Sequence, residues 1–311
     1  MAGLNLDDTS TIYDTFGPTP RLWIDHSDPI VKDRYESDLR GMIDVMTTST
    51  FEQYINHTKS FTMDSDTASH KLYLIRRVDS HPRSLYTVGP ITPNVQSMLA
   101  NHFQFMERLD LIRLYQKFEK NPDSRKVAGI LFEAIGQQSL QEKITLVIVP
   151  MVRFDKVPTG KPRWHSSHIS LESAVLEAKR LEALQHSIHL DVKPTRVVQS
   201  GVTSPSVEEG VYYVPEKTNQ VAIDSFIVSD GLLYLFQFTI GEHHDVKAGL
   251  KTFLKTYPSI PAEDNWHFVF IIPTNKELIS PQLPDSLKKL RVSSATIDVD
   301  IGVNRKFILH K

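Results

Sequence analysis

The sequence predicts a mixed α/β fold. Residues 143–154 and 266–273 are apolar runs rich in β-branched side chains, which is typical of buried strands. Residues 221–240 contain two further apolar runs joined by Asp230-Gly231, a strong signal for a β-hairpin with a two-residue turn. Segments with helical spacing alternate with these strands, so we expect one sheet covered by helices.

The first 92 residues predict a smaller α+β region. Residues 1–30 are rich in Pro, Asp and Thr, which favours irregular structure. Apolar residues then recur at helical spacing, and two β-type runs follow. The predicted elements are helices over residues 31–46 and 51–57 and a pair of strands over residues 71–78 and 84–89. The sequence identifies no chemistry in this region.

A long helix is predicted over residues 93–118. Thr92 is a favourable N-cap, and Pro93 suits the first helical position. An apolar stripe runs along the whole segment, which indicates a packing surface. That surface is expected to belong to the core or to a dimer interface.

A second helix is predicted from Ser124 to Gln141, after the break at residues 121–123. Glu133 lies at the edge of its apolar stripe, where a surface role and a functional role both remain open. Gly129 lies one turn earlier and would allow another backbone to approach closely.

The remaining elements follow from apolar runs and turn residues. A helix of residues 244–256 would place Lys247, Lys251 and Lys255 along one face, as a phosphate-binding row or as a solvated face. The other predictions are a polar loop at 156–168, a helix at 171–184, a short strand near Val197, a loop at 199–210, a short helix at 281–290 and an edge strand at 296–303.

Composition excludes several classes of site and protein. The chain has 311 residues, 40% of them hydrophobic and 23% charged, as in an ordinary globular protein of about two domains. It has no cysteine, so disulfides, cysteine zinc sites and thiol nucleophiles are excluded. We expect no membrane span, no signal peptide and an intracellular location. The net charge of −2 requires any nucleic-acid site to be a local patch.

Common catalytic motifs are absent from the sequence. It contains no P-loop, no G-x-G-x-x-G, no G-x-S-x-G and no H-E-x-x-H. Glu242-His243-His244 is a run of metal-ligand residue types, but adjacent side chains point in different directions. These histidines are therefore expected to lie at the surface or to face a substrate.

Polar residues interrupt the apolar hairpin. With a two-residue turn, Asp224 would face Gln237, and Thr239 would follow on the same side. A three-residue turn would instead place Gln237 on the opposite side. Together with Glu133, these oxygen donors form a set suited to Mg²⁺ or Mn²⁺. The alternative is a satisfied polar pair at a sheet edge or an exposed face.

Three segments resemble the nuclease domain of the Crinkler and retrotransposon-hotspot effectors, within the PD-(D/E)XK restriction-endonuclease-like superfamily. They are RKVAGILFEAIG (residues 125–136), YYVPEKTNQVAIDSFIV (212–228) and LLYLFQFTIGEHHDVKAGL (232–250). The resemblance implies an α-β-β-β-α-β core within a domain of residues 93–311, preceded by a connector-like region of residues 1–92. Longer members of the family carry a P-loop ATPase before this connector, which this sequence does not contain. The resemblance therefore also allows the predicted helix 93–118 to dock a separate ATPase domain.

The resemblance also implies the roles of individual residues. Glu133, Asp224 and Gln237 would hold Mg²⁺ or Mn²⁺ and orient the attacking water, with the Phe238 carbonyl as a further ligand. Thr239 stands where the superfamily places a catalytic lysine, so this chain departs from the pattern. Residues that could replace that lysine are Lys247, Lys251, His243 and His244.

The expected function is a magnesium-dependent nuclease, with DNA as the first substrate to consider and RNA left open. Lys161, Arg163, Lys247, Lys251 and Lys255 are the predicted phosphate contacts. A nuclear location is an expectation from the family. The alternative is a catalytically inactive nuclease-fold module that binds DNA or protein, which the Thr239 substitution and the near-neutral charge favour.

Overall fold

The computed structural model divides into two compact units, Met1–Ala134 and Ile135–Lys311. The predicted division into a connector-like region of residues 1–92 and a nuclease domain of residues 93–311 stays a prediction. The structure describes residues 13, 17, 28–60, 71–77, 86–154, 163–166, 174–194, 196–200, 206–215, 223–280 and 283–300. Lys161 and the greater part of the predicted 156–168 loop lie outside these residues, as do residues 301–303 of the predicted edge strand.

The first unit contains helices and one small sheet, as the sequence predicts. Asp28 caps the first helix by accepting a hydrogen bond from the Ile30 N–H at 2.9 Å. The elements are α1 (Pro29–Asp44), α2 (Thr48–Ser60), β1 (Tyr73–Arg77), β2 (Tyr86–Pro90), α3 (Pro93–Phe103), α4 (Arg108–Glu119) and the first part of α5 (Arg125–Gln141). Strands β1 and β2 pair antiparallel.

The predicted long helix over residues 93–118 is wrong, because the chain forms two helices, α3 and α4. Thr92 caps α3 as expected, accepting from the Val95 N–H at 3.2 Å. Phe51 explains the break, since its ring packs against Phe103 of α3 and also against Phe118 of α4. One straight helix would hold those two residues about 22 Å apart, and they could not share one partner ring.

The second unit is built on a mixed sheet. Its elements are the remainder of α5, β3 (Ile144–Pro150), β4 (Val152–Phe154), β5 (Arg163–His165), α6 (Ala174–Gln185), β6 (Ile188–Val192), β7 (Arg196–Ser200), β8 (Val211–Pro215), β9 (Ser225–Ser229), β10 (Leu232–Phe238), α7 (Leu250–Leu254), β11 (Trp266–Pro273), β12 (Ile279–Ser280) and β13 (Arg291–Ile297). The order β6-β3-β13-β11-β10-β9-β8-β7 makes the large sheet, and β12-β5-β4 makes a small one. The predicted mixed α/β class is confirmed.

The large sheet is strongly curled. Strands β6 and β7 form its two edges, yet only residues 193–195 separate them in sequence. Eight strands side by side would place flat edges about 33 Å apart, whereas so short a link spans at most about 14 Å. The sheet must therefore bend until its edge strands approach each other.

The hairpin has the register that a two-residue turn predicts. Asp230 and Gly231 both have positive φ, 53° and 71°, as a type I′ turn requires. Leu232 pairs with Ser229, and the ladder continues to Phe236 opposite Ser225. The predicted pairing of Asp224 with Gln237 is not part of this ladder, since the Asp224 N–H donates to the Phe236 carbonyl oxygen at 2.9 Å.

Several other element predictions need correction. Helix α7 has five residues, Leu250–Leu254, so Lys247, Lys251 and Lys255 do not share one helix. Strand β13 lies between β11 and β3 and is not an edge strand. Strand β5 falls within the predicted 156–168 loop. A Cβ added to Gly129 would meet nothing within 4 Å, so this glycine serves no close backbone approach among the described residues.

The two faces of β10 pack against different parts of the second unit. Leu233 and Leu235 join a buried cluster with Leu250 and Leu254 of α7. On the opposite face the Phe238 ring covers Gly136 of α5. In the described part of the chain, no helix is long and apolar enough to cross a membrane.

Candidate functional site

Asp224 lies immediately before β9, at the point where the hairpin ladder ends. Its carboxylate continues the pairing in place of a backbone carbonyl: Oδ2 accepts the Phe238 N–H at 2.7 Å. Its own N–H donates to the Phe236 carbonyl oxygen. The carboxylate therefore lies beside the backbone at the end of β10. The predicted strand pair of Asp224 with Gln237 does not form.

The environment of Asp224 is unusual for a carboxylate. Burial raises the pKa of its carboxyl to about 7, while the Phe238 N–H and the positive charge of Lys247 lower it. Because the burial effect is the largest, the two stabilising groups do not compensate for lost hydration. A positive charge close to the carboxyl would shift it towards its charged form.

Gln237 faces the α7 side of the sheet, by alternation with Leu233 and Leu235. Its side chain is only 7% exposed, and Oε1 has no hydrogen-bond partner among the described residues. A buried carboxamide oxygen without a protein partner is costly, which favours pairing with a ligand, a water or an ion.

Thr239 follows directly after β10 and is buried. Its N–H donates to the Ile271 carbonyl oxygen at 3.0 Å, which continues the pairing towards β11. Its hydroxyl oxygen accepts the Gly241 N–H at 3.1 Å and so shapes the turn that follows. The hydroxyl can still donate one hydrogen bond, but it carries no charge.

The structure separates the two adjacent histidines. The His244 ring packs edge-on against Phe270, with ring centroids 5.9 Å apart, and Phe270 is the β11 residue that pairs with Gln237. Burial, followed by the charge of Lys247, lowers the pKa of His244 and favours a neutral imidazole. His243 is exposed and forms a bridge with Ile279 on β12. Of the pair, His244 is therefore the one near Gln237.

The predicted basic residues also divide into two groups. Lys247 is exposed and close enough to Asp224 and His244 to lower the pKa of both. Lys251 forms an ion pair with Glu263 instead. Arg163 lies on β5; burial lowers the pKa of His165, and the charge of Arg163 adds to this effect. Lys255 is the cap residue that ends α7.

Glu133 lies on α5, four residues before Gln137 and so on the same helical face. It belongs to the first compact unit, and its role as a metal ligand stays a prediction. Among the described residues, no three His, Asp or Glu side chains form a group that could hold a metal ion. A site here would therefore depend on amide and backbone oxygens in addition to carboxylates.

Sequence reasoning missed the residues that hold Asp224 in place. The Gln137 Nε2 donates to the Asp224 carbonyl oxygen at 3.2 Å. The Tyr212 hydroxyl contacts both Gln137 Oε1, at 2.5 Å, and Ser225 Oγ, at 2.6 Å. The available signal was the spacing of Gln137 from Glu133, since residues four apart share a helix face.

Comparison with known proteins leaves the family open. No protein-family model matches the chain, and no solved structure matches it. A curated relative, the tRNA (guanine-N(7)-)-methyltransferase non-catalytic subunit TRM82 of Lodderomyces elongisporus, is 26% identical over 215 residues. The match covers 69% of this chain and 49% of that protein, so the chain spans about half the length of the curated relative.

Proposed function

We propose that the second unit is a metal-dependent nuclease domain of the PD-(D/E)XK type, in a Crinkler-like effector. The observation that carries this proposal is Asp224, a half-buried carboxylate fixed at the end of the hairpin with a pKa of about 7. The antiparallel β9–β10 hairpin, followed by β11 parallel to β10, supports the predicted order of the core strands.

The residues present fit a hard divalent cation. Asp224 supplies a carboxylate, and Gln237 supplies a buried oxygen that lacks a partner among the described residues. Both are oxygen donors of the type that Mg²⁺ and Mn²⁺ prefer. The resemblance predicts Glu133 and the Phe238 carbonyl as the further ligands. When bound, the metal would lower the pKa of a water molecule and stabilise the charge of a phosphodiester transition state.

The chain's own groups supply the remaining functions. The positive charge of Lys247 acts on Asp224, so Lys247 takes the phosphate-facing role that Thr239 cannot fill. His244 is held neutral and half-buried, which suits it to accept or donate a proton at the substrate. Thr239 orients the turn that leads to both residues through its bond to Gly241.

Cleavage of nucleic acid tests this proposal. Plasmid DNA and tRNA are incubated with the protein in Mg²⁺, in Mn²⁺ or in a chelator, and tRNA is included because the curated relative is named as a tRNA methyltransferase subunit. We expect metal-dependent cutting that Asp224→Ala and Glu133→Ala abolish. Asp285→Ala, which removes an exposed aspartate paired with Lys288, should cut normally. Cutting that survives Asp224→Ala contradicts the assigned site.

A second function, a catalytically inactive nuclease-fold module, is favoured by one specific observation. Thr239 occupies the lysine position and uses its oxygen in a local turn, so that position carries no positive charge. Such a module would bind DNA or protein without hydrolysis, and it would gain no stability from magnesium. Folded protein that binds an oligonucleotide but cuts neither substrate in any metal supports this second function.

A further inference from the structure

The side chains of Tyr212 and Gln137 form a buried polar chain that ends at the backbone of Asp224. Gln137 is 2% exposed, and both ends of its carboxamide are engaged: Nε2 donates to the Asp224 carbonyl oxygen, and Oε1 accepts from Tyr212. Tyr212 and Ser225 are completely buried. A buried network whose members are all satisfied holds one conformation, because any rearrangement leaves a polar group unpaired.

This network acts on the backbone of Asp224 where regular strand pairing stops. The ladder supports the chain up to Ser225, and Asp224 lies one residue beyond it. Among the described residues, three hydrogen bonds then hold Asp224: its N–H donates to Phe236, its carbonyl oxygen accepts from Gln137 and its carboxylate accepts from Phe238. The bond from Gln137 is the one that comes from outside the hairpin, and it ties the peptide to helix α5.

We infer that Gln137 is a positioning residue that fixes Asp224 for metal binding, with Tyr212 as its support. This inference rests on the proposed function for its metal, but its structural part can be tested without any ligand. Removing the carboxamide frees the peptide between Asp224 and Ser225 to rotate. The carboxylate then leaves the Phe238 N–H, and the oxygen that faces the metal is no longer held.

Amide hydrogen exchange reports this positioning directly. In Gln137→Leu, of similar volume, the Phe238 amide should exchange at least about tenfold faster, since its acceptor is the Asp224 carboxylate. The Thr239 amide, which donates to Ile271, should keep its protection and serves as an internal reference. Tyr212→Phe retains the aromatic core and should give the same change to a smaller degree.

Ser139→Ala is the matched control, because Ser139 is a buried polar residue of α5 whose hydroxyl bonds within the helix, to the Ile135 carbonyl oxygen at 2.7 Å. It should leave Phe238 exchange unchanged. Equal acceleration of Phe238 and Thr239 exchange in Gln137→Leu overturns the inference, because it indicates general destabilisation. No acceleration of Phe238 exchange in Gln137→Leu or in Tyr212→Phe also overturns it, because Asp224 is then held without these residues.

Magnesium affinity, measured by titration calorimetry, connects the positioning to the site. Loss of a residue that orients a metal ligand typically weakens metal binding about 10–100-fold, and we expect that loss in Gln137→Leu but not in Ser139→Ala. If the wild type binds no magnesium while Phe238 exchange responds as expected, the proposed function fails and Gln137 remains a positioning residue for Asp224. If magnesium binds equally to both variants, the assignment to metal binding is overturned.

Discussion

Asp224 combines three properties at one position. It lies next to a strand end, its carboxylate accepts a backbone N–H, and burial raises its pKa to about 7. A carboxyl group with a raised pKa stabilises the fold more when it is protonated than when it is charged. Its retention in charged form at neutral pH therefore costs free energy, which a bound cation could offset.

Asp224→Asn should stabilise the metal-free protein above pH 7. The pKa is raised from 3.8 to about 7 on folding, so the stability that Asp224 contributes is present below pH 4 and is lost as the pH rises through 7. Asparagine keeps an acceptor for the Phe238 N–H but bears no charge. A shift of this size sets an upper limit of about 4 kcal/mol, and partial exposure reduces the expected gain to about 1–3 kcal/mol.

Urea denaturation in chelator at pH 5 and pH 8 measures this difference. The gain of Asp224→Asn over the wild type should be larger at pH 8 than at pH 5. The same free-energy difference at both pH values would show that Asp224 titrates normally in the folded protein.

Individual residues were predictable from sequence where local pattern decides them. Asp224 and Gln237 stood out because polar side chains interrupt apolar strands, and the Asp230-Gly231 turn set the hairpin register. Gln137 and Tyr212 did not stand out, since a glutamine on a helix and a tyrosine on a strand are ordinary. Their contact joins residues 75 positions apart, which no local pattern encodes.

At the scale of elements, α5 contains two glycines with opposite roles. A Cβ at Gly136 would overlap the Phe238 ring, whereas a Cβ at Gly129 would meet nothing within 4 Å. Gly136 is thus required for α5 to pack against β10, and Gly129 only weakens the helix.

Gly136→Ala should destabilise the protein by about 1–3 kcal/mol, because the Phe238 ring must move in a filled core. Gly129→Ala, the matched control on the same helix, should stabilise it by about 0.5–1 kcal/mol through helix propensity. Denaturant unfolding of both variants gives the two values. Equal effects would contradict the packing of Phe238 on Gly136.

Lys247 lies before the short helix α7, whereas Lys251 lies within it. Lys247→Ala should weaken nucleic-acid binding and reduce the salt dependence by about 0.7–0.9 in log–log slope, the loss expected for one phosphate contact. Lys251→Ala breaks the ion pair with Glu263, so it should cost at most about 1 kcal/mol of stability and leave the affinity unchanged. Oligonucleotide binding measured at several salt concentrations distinguishes the two variants. A larger loss of affinity in Lys251→Ala than in Lys247→Ala would contradict the assignment of Lys247 as the phosphate contact.

Strongly patterned elements were predicted well, and those decided by tertiary contact were not. Strands β10 and β11 are continuous apolar runs, and the prediction found both. The sequence predicts one helix in place of α3 and α4 because the apolar stripe keeps one helical period through both. In the structure, the shared contact with Phe51 bends the chain between them. Strand β13 contains the buried residues Ser293 and Ser294, and such polar residues give no sequence signal for a strand inside the sheet.

At the scale of the whole molecule, the mixed α/β class follows from the alternation of strands and helices, and the structure confirms it. The curl of the large sheet could not be predicted, because it depends on β6 and β7 lying at opposite edges. The division at Ala134 was equally hidden, since it falls inside the continuous helix α5. The restriction-endonuclease-like core remains part of the proposal, and metal binding is its central claim.

The most direct test is thermal unfolding with and without Mg²⁺ for wild type, Asp224→Ala and the control Asp285→Ala. A ligand at 100 times its dissociation constant stabilises a folded protein by about 2.7 kcal/mol. We predict that Mg²⁺ raises the melting temperature of wild type and Asp285→Ala in a saturable way and leaves that of Asp224→Ala unchanged. An equal response of all three proteins, or none in the wild type, would contradict a metal site at Asp224.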